Sequence, residues 1–368
     1  MTSRLKTDII ELNMGPQHPS THGVLRLAVK LDGEVVQECK PDLGYLHRGI
    51  EKLAEMRGYI QFIPLTDRID YLASMLQNAV YVMAVEKLAQ IEVPERAEWI
   101  RLIMMELQRV ASHLVFYGTM GLDLGASTPF IYGFREREDI LDLFEMVCGA
   151  RLTYNYFRPG GVARDIPDGF IQKTREYIKK QRLRLVEYDD LLSKNQIFLS
   201  RTTGVGYLSA EDAIRYSISG PSLRASGVDY DVRKADPYSF YHKLDWNVVT
   251  ESAGDVLARY NVRMGEIRQS LNIIEQALDM IPDGELKYKT PLKFKVPEGE
   301  VYCHIESARG DAGVYLVSDG SDKPYRLKWH APSFVNLSAI DVMTKGCKVA
   351  DLVAILGSLD VVLGEVDR

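Results

Sequence analysis

The sequence has few cysteines and no long apolar run. Its four cysteines, Cys39, Cys148, Cys303 and Cys347, stand apart with no CxxC pair, so no iron–sulfur or zinc ligand pattern is present. We therefore expect buried, reduced thiols and expect any redox metal to belong to another protein. No stretch approaches the ~20 apolar residues that span a membrane, and the opening MTSRLKTDII lacks the apolar core of a signal peptide. These absences predict a soluble, cytoplasmic chain that can still dock onto a membrane complex.

Charge of one sign is not concentrated anywhere. The formal net charge is −6, and the basic residues are spread along the chain, which argues against nucleic-acid binding. Internal repeats, low-complexity tracts and linkers rich in Pro, Gly or Ser are also missing. With 46% hydrophobic residues, the sequence predicts one globular domain over residues 1–368.

The patterns that are present predict an α+β fold. IIELNM and VLRLAVKL indicate a β-hairpin within residues 1–40, and strands return within 296–330. Between them, residues 41–295 form a helical bundle, and 331–368 form a helical segment near the end. The helical patterns lie at 47–58, 66–90, 94–120, 134–151, about 167–194, about 253–281 and about 338–356. We expect a long-helix bundle with a small antiparallel β part formed by strands from near both ends, and a central, enclosed helix at 94–120.

The loop MGPQHPSTHG contains two histidines four residues apart, His18 and His22. Pro19 lies between them, so they cannot share a helix face as metal-binding HExxH histidines do. Two further interpretations remain open. The loop is a structural turn whose polar side chains satisfy backbone groups, or it faces a ligand and offers an imidazole as a proton donor.

The segment PLTDRIDYLASM is predicted to begin a helix near Asp67. Such a helix places Arg68, Tyr71 and Met75 on one face. Tyr71 is then either a half-buried core residue or a hydroxyl that faces a ligand at the helix start. Arg68 is expected to pair with Asp67 or Asp70.

Two further segments contain candidate polar groups. In GLDLGASTPFIYGFRERED, a polar stretch interrupts two helices, and Asp123 has apolar neighbours on both sides. We expect it to be a partly buried carboxylate that needs a partner, for which a histidine would serve. The terminal SLDVVLGEVDR follows an apolar helix, so we expect it to be packed rather than frayed.

Several segments together resemble the D-type subunit of complex I, the proton-pumping NADH:quinone oxidoreductase. They are MGPQHPSTHGVLRL, GYLHRGIEKLAE, DRIDYL, ELQRVASHL, TPFIYGFREREDILDLFE, GPSLRASGVDYDVRKADPY, ESARGD and APSFVNL. This family is related to the large subunit of nickel–iron hydrogenases, which holds nickel with two CxxC pairs. Residues 68–73 resemble the hydrogenase motif RxCGxC, and residues 360–368 resemble DPCxxC followed by DR, with Val362 and Glu365 at the cysteine positions. The thiolate ligands are missing, so the resemblance implies a former metal cavity without metal.

The resemblance implies that a quinone headgroup fills this cavity. By position, His22 and Tyr71 match the pair that hydrogen-bonds and protonates the two quinone oxygens, and Asp123 matches the partner of His22. Arg68 matches a residue near a [4Fe–4S] cluster of a neighbouring small subunit, which would supply the electrons. Thr153 stands where many ubiquinone-using relatives have a histidine, which favours a menaquinone-type or other low-potential quinone.

The implied partners are the cluster-binding small subunit, the C-type subunit and the membrane subunit that forms the quinone channel. The implied location is the cytoplasmic face of the cell membrane, as a peripheral part of the complex. Two alternatives remain open. The chain has the same role in a relative fed by ferredoxin or deazaflavin, or it is a structural scaffold with an emptied cavity.

Overall fold

A three-stranded sheet lies near the start of the chain. The computed structural model describes residues 8–16, 23–288 and 294–368. The strands of this sheet are β1 (Ile9–Met14), β2 (Arg26–Asp32) and β3 (Val35–Asp42). They are antiparallel in the order β1-β2-β3, with Ile9 opposite Asp32. Alternate residues of β2 are buried, as in a strand with one face on a core. The predicted hairpin is confirmed, and β3 extends it.

Helices make up most of the chain. Those in the first half are α1 (Ile50–Met56), α2 (Tyr59–Thr66), α3 (Ser74–Ala89), α4 (Glu95–Asp123) and α5 (Ser127–Cys148). Those that follow are α6 (Phe170–Tyr188), α7 (Gln196–Thr202), α8 (Ala210–Arg215), α9 (Gly220–Arg224), α10 (Val232–Ala235) and α11 (Val256–Met280). A π-helical turn (Asp189–Ser193) follows α6, and a 3₁₀-helix (Tyr241–Lys243) precedes α11. Two short strands, β4 (Phe157–Arg158) and β5 (Gly161–Val162), form a small hairpin.

α4 is the central helix of the bundle. It is buried on all sides from Trp99 to Gly118, and it packs against both α5 and α11. The sequence predicted an enclosed helix here because residues 102–114 have almost no polar face, and this prediction is confirmed.

A second sheet and four helices complete the chain. The strands are β6 (Gly299–Ser307), β7 (Gly310–Ser318) and β8 (Arg326–His330), and the helices are α12 (Pro332–Leu337), α13 (Ile340–Thr344), α14 (Leu352–Leu359) and α15 (Leu363–Asp367). The sheet is antiparallel in the order β6-β7-β8. The α+β class is confirmed. Among the described residues, the strands near the two ends form two separate antiparallel sheets, because each set pairs with its own sequence neighbours.

Three helix boundaries differ from the prediction. The helix expected from Thr66 begins only at Ser74, because Asp70 accepts hydrogen bonds from backbone amides and holds residues 67–73 as a connection. The helix expected at 338–356 is broken after Thr344, where Gly346 has a φ of +82° and a 3₁₀-helix (Val349–Asp351) follows. α5 begins earlier than expected, at Ser127.

The glycines around α5 explain the third difference. A Cβ on Gly133 would lie 2.6 Å from the Leu114 carbonyl oxygen, and one on Gly118 would lie 3.0 Å from the Phe130 Cα. These glycines allow α4 and α5 to pack closely, and they do not mark a loop. Among the described residues, the structure contains no helix with the length and apolar character needed to cross a membrane.

Candidate functional site

The connection between α2 and α3, residues 67–73, carries the predicted tyrosine. Asp70 Oδ1 accepts hydrogen bonds from the backbone N–H groups of Leu72 (3.1 Å) and Ala73 (3.2 Å). The Ser74 hydroxyl donates to the Asp67 carbonyl oxygen at 2.7 Å. These bonds replace helical ones and fix the connection, so Tyr71 is held on ordered backbone.

Tyr71 lies at the surface of the isolated chain, with 43% of its area exposed. Within the described part of the chain, its hydroxyl has no hydrogen-bond partner. Partial burial and the neighbouring Asp70 carboxylate raise the pKa of Tyr71 above its ordinary value. The phenol is therefore protonated at neutral pH and is available to a ligand.

The ion pair predicted for Arg68 does not form. Among the described residues, the Arg68 guanidinium pairs with neither Asp67 nor Asp70. It donates to the Pro64 carbonyl oxygen, and the Arg68 carbonyl oxygen accepts a bond of 2.7 Å from Arg48. Arg68 is exposed, because the connection is not helical and directs Asp70 inward instead.

The C-terminal segment packs directly against this connection. A Cβ on Gly364 would lie 2.7 Å from the Ile69 carbonyl oxygen and 3.3 Å from Tyr71 Cε1. Only a residue without a side chain allows this approach. The two segments that resemble the hydrogenase motifs are therefore neighbours in the fold.

The same C-terminal segment also contacts the end of the N-terminal loop. A Cβ on Gly23 would lie 3.1 Å from Leu363 Cδ1. Gly23 and Tyr71 thus lie against consecutive residues of α15. His22 and His18 lie outside the described residues, and the predicted role of His22 stays a prediction.

Asp123 is the last residue of α4 and is partly buried. Partial burial agrees with the expectation from its apolar neighbours, Leu122 and Leu124. Its pairing with His22 stays a prediction, because His22 lies outside the described residues.

Behind Tyr71 lies a buried group of ionisable side chains that we call the carboxylate cluster: Asp70, Arg309, Asp360 and Glu365. Arg309 Nη1 lies 3.1 Å from Asp70 Oδ2, and Arg309 Nη2 lies 3.4 Å from Asp360 Oδ2. Arg309 and Asp70 are fully buried. Burial raises the pKa of Asp70, and the Arg309 charge opposes that shift.

Sequence patterns provided only partial signals for this cluster. Arg309 belongs to ESARGD, which is one of the matching segments but contains no residue with an implied function. It lies in the two-residue turn between β6 and β7, followed by Gly310 with a φ of +137°. A Cβ on Gly310 would clash with Ser219 Oγ. Glycine therefore allows this turn to pack closely against the core, which places Arg309 in the interior. In the sequence, Glu365 is marked only by the resemblance, as a position of a lost cysteine.

The stretch around Thr153 reaches the same region. The backbone N–H of Asn155 donates to Asp67 Oδ2 at 2.8 Å. Thr153 itself has a φ of +53°. The position that the resemblance singled out is therefore close in the fold to the Tyr71 connection.

Metal ligands are not assembled in the described part of the chain. No group of three or more His, Cys, Asp or Glu side chains in residues 8–16, 23–288 and 294–368 is placed to hold a metal ion. The four cysteines are free. Cys39 and Cys303 are buried as expected, which raises the pKa of each thiol to about 11 and favours the reduced form. Cys148 and Cys347, in contrast, are only partly buried.

The fold and this site define a class of protein. The chain belongs to the family described as "Respiratory-chain NADH dehydrogenase, 49 Kd subunit", which matches residues 123–293 and 289–368. Its relatives include proteins named as the D-type subunit of NADH-quinone oxidoreductase. That of Desulforamulus reducens is 54% identical over 363 residues, covering 99% of each chain. That of Geobacillus thermodenitrificans is 54% identical over 364 residues, covering 99% of this chain and 100% of the relative. The family inferred from the motifs is confirmed.

Proposed function

We propose that this chain forms the quinone headgroup site of a proton-pumping NADH:quinone oxidoreductase. A quinone is reduced to quinol there with electrons from a [4Fe–4S] cluster of a neighbouring subunit. Family membership supports the assignment to the complex. The position of Tyr71 carries the assignment of the site, because its phenol is open to a ligand while the former cysteine segments close the space behind it.

Tyr71 and His22 donate hydrogen bonds to the two quinone oxygens. Reduction adds two electrons and two protons, so oxygens that become strongly basic need acidic groups within reach. The Tyr71 phenol supplies one proton and the His22 imidazole supplies the other. Asp123 holds His22 in the cationic form, and Arg68 faces the cluster of the neighbouring subunit.

The partners follow from this role. Because Tyr71 is 43% exposed in the isolated chain, the walls of the site are completed by other subunits. These are the cluster-binding small subunit, the C-type subunit and the membrane subunit that forms the quinone channel. The chain then lies on the cytoplasmic face of the membrane, and a menaquinone-type or other low-potential quinone is the substrate.

The test is Tyr71→Phe in the assembled complex. We expect the loss of the phenolic proton to lower NADH-driven quinone reduction by on the order of 100-fold. Reduction of the iron–sulfur clusters by NADH, followed by electron paramagnetic resonance, should stay unchanged. Tyr325→Phe is the matched control, because Tyr325 is exposed and lies elsewhere, just before β8. Full activity of Tyr71→Phe would support the structural-scaffold alternative instead.

A further inference from the structure

Glu365 is a fully buried acid in the carboxylate cluster. Its Oε1 accepts a hydrogen bond from Gln77 Nε2 at 3.0 Å, and its Oε2 accepts one from the Ser333 backbone N–H at 3.1 Å. The Trp329 indole donates to Gln77 Oε1 at 3.1 Å, which fixes the orientation of the Gln77 amide. Among the described residues, no Lys, Arg or His nitrogen lies within 4 Å of the Glu365 carboxyl oxygens.

The charges around Glu365 do not balance. The facing charged groups are Asp70 on the α2–α3 connection and Arg309 on the β6–β7 turn. The other neighbours, Gln77, Trp329 and Ser333, are neutral. Asp360 adds a third carboxyl group to the carboxylate cluster.

Only two guanidinium groups in the described part of the chain oppose these three carboxyl groups. Arg309 contacts Asp70 and Asp360, and Arg263 Nε lies 3.9 Å from Asp360 Oδ2. Full ionisation would leave one uncompensated negative charge in a water-excluded interior, which is strongly unfavourable. The cluster therefore retains a proton near neutral pH, and Glu365 is its site because neither guanidinium pairs with it. In agreement, burial and the nearby Asp70 raise the pKa of Glu365 to about 7.

Glu365 is also close to the proposed proton donor of the quinone site. It follows Gly364, which packs against the Tyr71 ring. Asp70 directly precedes Tyr71, and its carboxylate raises the pKa of both Tyr71 and Glu365. A proton on Glu365 is therefore held in the same buried cluster as Asp70, one residue from the Gly364 contact with the Tyr71 ring.

We propose that Glu365 is the internal proton reserve that restores Tyr71 after each turnover. When the phenol has given its proton to the reduced quinone, the Glu365 O–H bond breaks and a new O–H bond forms on the Tyr71 oxygen. No electrons move in this step, and solvent later returns the proton to Glu365. The transfer is downhill because a phenolate is a stronger base than a carboxylate. This inference rests on the proposed function of Tyr71.

The test is Glu365→Gln in the assembled complex, because glutamine keeps the size of the side chain but cannot carry the proton. In the unchanged complex, quinone reduction should decline as the pH rises through about 7, where the reserve is lost. The variant should turn over on the order of tenfold more slowly at about pH 6 and should lack that decline. Glu365→Asp keeps an acid, so it should recover part of the turnover and part of the decline with rising pH.

A matched control is Glu306→Gln. Glu306 is also fully buried, with its pKa raised to about 7, but it pairs with Arg224 at 2.8 Å and lies on β6 rather than next to Gly364 on α15. This variant should keep the turnover and pH dependence of the unchanged complex. Equal behaviour of the two glutamine variants would overturn the assignment to Glu365.

Infrared difference spectra of the unchanged complex give a second measurement that needs no variant. Quinone reduction in a single turnover should remove the carbonyl band of a protonated carboxylic acid, and absence of that loss would overturn the proposal. The two proposals remain distinguishable. If Tyr71→Phe abolishes quinone reduction while Glu365→Gln leaves the pH profile unchanged, only the proton reserve is wrong. If Tyr71→Phe is fully active, the function of the site itself is wrong.

Discussion

At the scale of a single residue, Asp67 is a buried carboxyl group in the site region that can hold a proton near neutral pH. One carboxylate oxygen accepts the Asn155 N–H, while the other, Oδ1, is buried and has no hydrogen-bond partner among the described residues. An unsatisfied buried oxygen is costly as an anion. Burial accordingly raises the pKa of Asp67 to about 7. The residue stands next to Arg68, at the edge that the proposed function assigns to electron entry.

Asp67 predicts a pH dependence of local stability. The folded state holds the proton up to about pH 7, whereas an unfolded aspartate loses it near about pH 4. Between these values the folded state binds more protons, so stability falls as the pH rises through this window. Asp67→Asn should flatten this fall. Between about pH 5 and about pH 8, the free energy of unfolding of the variant should rise relative to that of the unchanged chain by about 3 kcal/mol or less.

Hydrogen exchange of peptides from the α2–α3 connection, measured in the assembled complex at both pH values, checks this expectation. Asp283→Asn is the control because the Asp283 side chain is fully exposed. If the local stability of Asp67→Asn falls with rising pH as steeply as that of the unchanged chain, the assigned pKa shift of Asp67 is contradicted.

Residues with a local motif could be predicted from the sequence, and residues that depend on remote partners could not. Tyr71 and Arg68 stand out because DRIDYL matches a known pattern. Asp70 lies in the same motif, yet its partner Arg309 is 239 positions away. Which cation faces a buried carboxylate is decided by tertiary packing, so the sequence led us to a pairing of Arg68 with Asp67 or Asp70 that does not form among the described residues.

At the scale of elements, long periodic segments were predicted well and their interruptions were not. α4 and α11 follow from uninterrupted apolar spacing over many turns. The connection 67–73 retains helical spacing, but the Asp70 side chain binds the amides that a helix would use. Such competition between side chain and backbone is not visible in hydrophobic periodicity.

The turn between β6 and β7 acts as a structural bridge. From it, Arg309 reaches Asp70 on the α2–α3 connection, the Ser112 hydroxyl on α4 (2.5 Å) and the Asp360 carbonyl oxygen after α14 (3.1 Å). Arg309→Gln would leave buried carboxylates without their cation, which typically costs about 3–5 kcal/mol. We expect much less assembled complex and faster hydrogen exchange in both α3 and the β6–β7 turn.

A second substitution tests whether charge is the cause. Asp70→Asn in the same chain removes one of the uncompensated carboxylates and should restore part of the protection lost in Arg309→Gln. Asparagine keeps an oxygen that can accept from Leu72 and Ala73, so the connection itself is preserved. If the double variant is protected from hydrogen exchange no more than Arg309→Gln alone, Arg309 acts through packing alone.

At the scale of the whole molecule, the C-terminal segment joins distant parts of the chain at the site. Arg368 donates to the Trp329 carbonyl oxygen on β8 at 2.6 Å, and its own carbonyl oxygen accepts from the Arg48 N–H at 3.2 Å. The expectation that this segment is packed is confirmed. The meeting of residues near both ends of the chain is a non-local feature, and the resemblance of segments 68–73 and 360–368 to the hydrogenase motifs anticipated it.

Asp367 provides the test of this joining role. Its carboxylate accepts hydrogen bonds from the backbone N–H groups of Gly44 (2.8 Å) and Leu46 (2.7 Å), and its carbonyl oxygen lies 2.6 Å from His47 Nδ1.

Asp367→Ala leaves the two amides without their acceptor, at a cost of about 1–3 kcal/mol for each such group. Hydrogen exchange at residues 43–48 should rise by about tenfold or more, and the KM for quinone should increase because α15 supports both Gly23 and Tyr71. Asp367→Asn keeps one acceptor oxygen, so its hydrogen exchange and its KM should lie between those of the unchanged chain and those of Asp367→Ala. Unchanged protection of residues 43–48 in the alanine variant would show that the C-terminal segment rests on this part of the chain without stabilising it.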